Sequence, residues 1–271
     1  MEHVLRQTYA FFFRDFSLTR RYFSWVVVFT FYAVVSSATV VLIGVAAGDR
    51  RLTMTLLAGS VLWGMLSVVF QEIANSITYE RWEGTLEYTF MAPVSRLIHL
   101  VGVSLFSTAY AVVRACIIVL GMLLFVDIDL SRANWGGIVV VLAVSSAAFI
   151  GLGLMAATLP VFSPERGAEA TNIFQGILLL VSGVYYPVEV LPRWLQPLSV
   201  VSPATYALSA TRRLMGVGQD GSLGAGAPLS SCVYELTVLT LMGVVMIPLG
   251  LYVFHLVERW AKRTGKLKRT G

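Results

Sequence analysis

Charge is scarce in this chain. Asp, Glu, Lys and Arg make up 13% of it, where soluble domains carry about 25%. Cysteine is nearly absent. Cys116 falls inside an apolar run and Cys232 near the start of another, and two isolated cysteines provide neither a disulfide framework nor metal-ligand spacing. Both read as small apolar fillers. The run G-x-x-x-x-G-K-[ST] is missing, because Gly265-Lys266 is followed by Leu267, so a phosphate-binding loop of that kind is excluded. His3, His99 and His255 form no triad or ligand set. No short apolar core followed by small residues marks a cleavable signal peptide, and the first apolar run can itself serve as the insertion signal.

What is present is apolar. Hydrophobic residues reach 57% of the 271 residues, more than a soluble core of this length hides. The direct reading is an all-α membrane protein, because lipid leaves the backbone only helices or a closed barrel. Crossing the hydrocarbon takes about 20 apolar residues. Six spans are expected, at 25–47, 54–78, 100–126, 136–161, 170–186 and 234–257. The fifth is short, ends at Tyr185-Tyr186-Pro187, and is expected to stop before the far headgroups. Polar breaks separate the spans: Asp49-Arg50-Arg51, the segment 79–99, Asp127 to Arg132, Ser163 to Glu169, and 187–232.

Lys and Arg set the expected direction. With the N-terminus inside, thirteen cations fall on the cytosolic side: Arg6, Arg14, Arg20, Arg21, Arg81, Arg96, Arg166, Arg259, Lys262, Arg263, Lys266, Lys268 and Arg269. Six fall outside: Arg50, Arg51, Arg132, Arg193, Arg212 and Arg213. Both termini are therefore expected in the cytoplasm, with Arg212 and Arg213 as the dissent. The net charge of +5 is concentrated in the tail 259–271, which reads as a contact with anionic lipid and a topology lock, with no call for nucleic acid.

Residues 1–24 read as an amphipathic helix lying on the membrane. Leu5, Tyr9, Phe12, Phe16 and Phe23 fall within one arc, and Gln7, Arg14 and Arg21 fall opposite. A cap packed on the bundle is compatible with that pattern. The fourth span is rich in small residues, with Ala147/Gly151 and Gly153/Ala157 each four apart. That spacing lets helix backbones approach closely without saying which helix approaches.

The segment 79–96 is more than a connector. Glu80, Glu83 and Glu87 are spaced by three and four and would share one face of a helix. Trp82, Leu86, Tyr88, Phe90 and Met91 add large apolar side chains, and Pro93 ends any helix. A short rod of this kind can seat in a groove of a soluble partner. A solvated loop with interfacial aromatics is the plain alternative.

Arg81-Trp82-Glu83-Gly84-Thr85-Leu86-Glu87, followed by Ala92-Pro93-Val94-Ser95, resembles the coupling-helix region of ABC type-2 exporter permeases. Ser182-Gly183-Val184-Tyr185-Tyr186-Pro187, Leu191-Pro192, Trp194-Leu195 and Ser202-Pro203-Ala204-Thr205-Tyr206-Ala207-Leu208 resemble the stretch of that family where the fifth span ends and outer-side hairpin helices follow. The two matches stand in order within six spans, and with the N-terminal helix they cover nearly the whole chain.

The resemblance implies a permease subunit, 25–258, of the plasma (inner) membrane that dimerises and pairs with a separate ABC ATP-binding subunit. ATP and magnesium would be bound by that partner, and this chain would hold no cofactor and perform no covalent chemistry. Glu80, Arg81, Glu83, Gly84, Thr85, Leu86 and Glu87 would carry the coupling, and hairpin helices at 187–213 would line or close the outer exit. The family's cargoes include polysaccharides, lipo-oligosaccharides, drugs, polyketides and lipids.

Candidate path residues follow from cost. Arg114 in the third span costs at least about 2.5–3.5 kcal/mol to insert; its partners by depth are Glu72, Gln71 or Gln175. An internal ion pair that only supports the fold competes with a substrate contact. Asn172 and Gln175 line an inner entrance or join helices. Tyr185 and Tyr186 are belt anchors or exit contacts. Two rivals to a motor-driven exporter are weighed. An intramembrane enzyme needs a nucleophile with its base or paired acids at matching depth; Glu72 and Arg114 make no such set. A motor-independent carrier needs inverted repeats with broken helices, and no such symmetry is visible.

Overall fold

The computed structural model describes residues 2–92, 94–126, 133–162, 166–217 and 224–264. Pro93, the break 127–132, Ser163 to Glu165 and the tail beyond 264 lie outside the described residues, as do the side chains of Leu86, Glu87, Arg96 and Ala168. The described chain is helical throughout and contains no strand. In order, the helices are α1 (Glu2–Arg21), α2 (Phe23–Ala46), α3 (Arg50–Trp82), α4 (Leu86–Met91), α5 (Arg96–Met122), α6 (Trp135–Ala156), α7 (Leu159–Phe162), α8 (Gly167–Val181), α9 (Gln196–Val201), α10 (Pro203–Leu214) and α11 (Val233–Thr264).

Five stretches are long and apolar enough to cross a bilayer: Phe23–Ala46, Arg50–Trp82, Leu97–Met122, Trp135–Phe162 and Leu229–Thr264. The fifth expected span, 170–186, corresponds to α8. It has 15 residues, a rise of about 22 Å against a hydrocarbon of about 30 Å. The expected break Asp49-Arg50-Arg51 is a tight turn in which the Asp49 carboxylate caps α3, accepting from the amides of Arg51 (2.8 Å) and Leu52 (3.1 Å).

α3 is the axis of the bundle. It packs against α2, α5, α6, α8 and α10 and contributes the fully buried Leu57, Leu62, Met65, Leu66, Phe70, Ile73 and Ile77. Its 33 residues rise about 50 Å, so both ends outrun the hydrocarbon. The helix that carries the second expected span, 54–78, continues without a break to Trp82, because nothing between Thr78 and Trp82 interrupts helical hydrogen bonding.

The small-residue face of α6 meets α11 of the same chain. A methyl added at Gly151 would lie 2.5 Å from the Met246 carbonyl carbon, and one at Gly250 would lie 2.5 Å from the Gly151 carbonyl oxygen. Only glycine lets these backbones touch. Gly176 on α8 has nothing within 4 Å of such a methyl.

The expectation for α1 is corrected in part. Leu5, Tyr9, Phe13 and Phe16 are exposed, but Phe12 turns to the protein, 5.7 Å from the Phe106 ring. Arg14 also turns inward. α1 lies on the start of α5 so closely that a methyl at Gly102 would be 2.9 Å from the Thr8 carbonyl oxygen. The polar face expected from the helical wheel is thus divided, with Arg14 half-buried and Arg21 exposed, because α5 covers one side of the helix.

Gly151→Leu is expected to lower stability by at least about 2 kcal/mol through overpacking against backbone, while Gly176→Ala changes it little. Thermal unfolding of the two purified variants in one detergent checks the contrast.

Candidate functional site

The coupling residues expected from sequence sit at one end of the bundle, on two helices joined by a turn. α3 ends at Trp82, Gly84 adopts φ +73°, and α4 begins at Leu86. The Gly84 amide bonds the Arg81 carbonyl (3.1 Å) and the Thr85 amide bonds the Glu80 carbonyl (2.8 Å). This is the glycine-terminated helix end in which a left-handed residue lets the last carbonyls be answered. The expectation that Glu80, Glu83 and Glu87 share one helix face is therefore overturned. The left-handed glycine breaks the helix between Glu83 and Glu87, and the three acids lie on α3, on its cap and on α4.

The turn sorts these residues by exposure. Glu80 and Arg81 are buried at 5% each, and an Arg81 Nη2 hydrogen points to the Val161 carbonyl at 3.5 Å. Glu83 is exposed, together with Tyr79, Trp82, Tyr88 and Met91. Tyr79 and Trp82 meet edge to face with centroids 5.8 Å apart. Phe90 faces inward and lies 6.3 Å from the Phe254 ring of α11. The knob is thus an aromatic and acidic outer surface, fastened from inside by Glu80, Arg81 and Phe90.

Glu80 has partners that the sequence did not disclose. Its Oε1 accepts from Arg14 Nη1 at 2.5 Å and lies 3.4 Å from His99 Nε2. Arg14 also donates from Nε to Asp15 Oδ1 at 3.0 Å and stacks over Phe11. His99 is 1% exposed, with its ring 4.6 Å from Phe11. Burial disfavours the Arg14 charge, but Asp15 and Glu80 outweigh it and hold its pKa above the ordinary value. Burial pushes the Asp15 carboxyl up, and Arg14 opposes that shift. The adjacent opposite charges Arg14-Asp15, set within the aromatic stretch Phe11 to Phe16 of α1, were the available signal for this cluster.

The candidate path residues do not converge. Arg114 on α5 donates to the Phe29 carbonyl of α2 at 2.8 Å, with Glu72 in electrostatic range. Gln71 and Gln175, expected as its alternatives, bond each other at 2.6 Å and tie α3 to α8. Gln175 is half-buried while Asn172 is exposed. Tyr185 bonds Ser60, and the Tyr186 hydroxyl donates to the Leu180 carbonyl at 2.5 Å.

At the other end of the bundle, α8 stops at Ser182, and Gly183 takes φ +65°. The freed carbonyls are answered by α10: Arg212 Nη2 donates to Gly183 (3.1 Å) and Val184 (2.7 Å). Burial lowers the Arg212 pKa to about 10. Arg213 pairs with Glu235 at 2.8 Å. The two arginines that opposed the expected topology are thus engaged by the fold.

A family model described as ABC-2 type transporter matches residues 3–215. Among curated proteins, the linearmycin resistance permease protein LnrN of Bacillus subtilis (strain 168) is 29% identical over 101 residues, which is 36% of this chain and 26% of that relative. The matched stretch thus spans about a quarter of that relative's length.

Glu80→Ala is expected to destabilise the protein by about 2–3 kcal/mol, less than the about 3–5 kcal/mol for stripping a buried pair, because Asp15 still holds Arg14. Trp82→Ala, an exposed truncation, is expected to change stability by less than about 0.5 kcal/mol. Chemical denaturation of both variants in mixed micelles decides between a fastened Glu80 and a free one.

Proposed function

The chain belongs to the ABC-2 type transporter family and is a membrane transporter subunit, and from that premise we propose that it is the permease of an ATP-driven exporter. In this reading a separate ABC subunit binds ATP and magnesium, docks on the knob formed by Tyr79, Trp82, Glu83, Tyr88 and Met91, and moves an amphipathic or lipid-linked substrate out of the cytoplasm. The knob is the observation that carries the reading. Exposed aromatics beside an acid, held rigid from below, are the composition of an interface anchor. They also terminate the most buried helix of the bundle, so force applied there reaches the core.

The knob end is then cytoplasmic and carries both termini, in a multi-pass protein of the plasma (inner) membrane. The lysine and arginine bias supports that direction. A second permease copy completes the path. The outer face of α8 supports it: Asn172 and Gly176 are poorly suited to lipid, and they stand among the exposed Ile173, Ile177 and Leu180. Asn172, Gln175, Tyr185, Tyr186 and Arg114 are the side chains assigned to the path, with Arg114 closest to a fold-supporting role because its guanidinium already binds a backbone carbonyl.

Glu83→Lys and Trp82→Ala are expected to leave membrane insertion intact and to weaken retention of the ATP-binding subunit by about tenfold or more, the scale of a hot-spot truncation. Co-purification from membranes with matched permease levels measures it. Full retention by both variants, together with normal ATP-dependent export, removes the knob from the coupling role.

A further inference from the structure

We propose that Arg14 and Glu80 form a latch through which the surface helix α1 sets the pose of the docking knob, making Arg14 a positioning residue for coupling. The proposal rests on the coupling reading above and adds a control on it.

Glu80 is the joint. Its side chain holds α1 through Arg14 Nη1 at 2.5 Å. Its main-chain carbonyl holds the turn, accepting from the Thr85 amide at 2.8 Å and from the Thr85 hydroxyl at 3.3 Å. One residue therefore joins α1 to the first residue after Gly84. His99 closes the arrangement from α5, with Nε2 at 3.4 Å. The carboxylate is 5% exposed, and its second oxygen has no hydrogen-bond partner among the described residues. A carboxylate so placed depends on Arg14, since taking that cation away leaves charge in a poorly solvated site. Its least costly response is to turn toward water, which drags the Glu80 backbone and the knob with it.

The other side of α1 gives the latch an input. Leu5 and Tyr9 are each 65% exposed and Phe13 is 53% exposed, while Thr8 and Phe11 press on α5 at Gly102. α1 is thus shared between the bundle and whatever apolar phase covers its outer face. A shift of α1 in that phase acts on Arg14, and through Glu80 on the turn. Arg20, on the same helix, is exposed and serves as the control for lost surface charge.

The test uses the full-length chain in lipid nanodiscs and reads amide hydrogen exchange, which reports local opening. Arg14→Gln is expected to speed exchange of the 85–92 amides by about tenfold or more while leaving the core of α6 unchanged. Arg14→Lys, which keeps the charge but loses the guanidinium fork and its stacking, is expected to restore protection in part, to a rate between those of Arg14→Gln and the unaltered chain. Arg20→Gln is expected to change nothing. Glu80→Gln repeats the test from the other side of the pair if Arg14→Gln does not accumulate. Unchanged exchange at 85–92, or a rise that extends equally through α6, overturns the latch; so does exchange in Arg14→Lys as fast as in Arg14→Gln. The same variants are then assayed with the co-purified ATPase. Arg14→Gln is expected to retain that subunit while ATP hydrolysis becomes independent of the permease, and permease-dependent hydrolysis at the unaltered level overturns the positioning role. If the unaltered chain retains no ATP-hydrolysing subunit, the coupling reading itself fails and takes the latch's role in coupling with it, whatever the exchange data.

Discussion

Hydrocarbon offers a backbone no hydrogen bonds, so a helix that ends in or near it needs its freed groups answered from elsewhere. At three places among the described residues a side chain or a closing turn supplies the answer. Asp49 accepts the first amides of α3. The turn at Gly84 closes on the Arg81 and Glu80 carbonyls. Just past the premature end of α8, Arg212 of α10 binds the Gly183 and Val184 carbonyls. This third case shows most clearly why α8 can be short. A helix of about 22 Å would strand polar backbone inside the bilayer, unless another element supplied donors at that depth.

The same economy governs charge. Arg14, Arg114 and Arg212 read from sequence as a headgroup contact, a path residue and an outer-loop cation. In the fold each guanidinium reaches back to the protein: to Glu80, to the Phe29 carbonyl and to the Gly183–Val184 carbonyls. Arginine suits this use, since its planar fork stays charged and binds oxygen in several directions. Counting Lys and Arg along the chain weighs the sum of them for direction. It misjudges individual residues, which answer to whatever oxygen lies within reach.

These constraints meet at the Trp82 end of α3. The helix most deeply set in the bundle also carries Tyr79 and Trp82 of the exposed knob, and no break separates them from its buried core. Burial of Glu80, Arg81 and Phe90 beneath the exposed Trp82, Glu83 and Tyr88 produces a stiff projection in place of a loop. A projection of this kind passes displacement on, whereas a solvated loop absorbs it. The acids of the segment are accordingly divided in use: Glu80 fastens, and Glu83 is presented.

Much of this was legible in the chain. Runs of about 20 apolar residues locate the spans because the bilayer sets their length. The short 170–186 run announces a helix that ends early, and the four-residue spacing of Gly and Ala in the fourth span announces a close helix contact. The coupling segment stood out because charges and aromatics together are rare beside apolar spans. Pairing was not legible. Nothing in the order of residues says that α6 meets α11, that Gln71 finds Gln175 in preference to Arg114, or that Arg14 crosses to Glu80. Periodicity defines the faces of a helix but not which neighbour covers each face, and so it assigned Arg14 to the lipid surface. Local composition determined which segments enter the membrane and where they end, since those are properties of a segment and its solvent. Only the tertiary structure decided which polar groups answer one another, because that depends on distances between segments far apart in the chain.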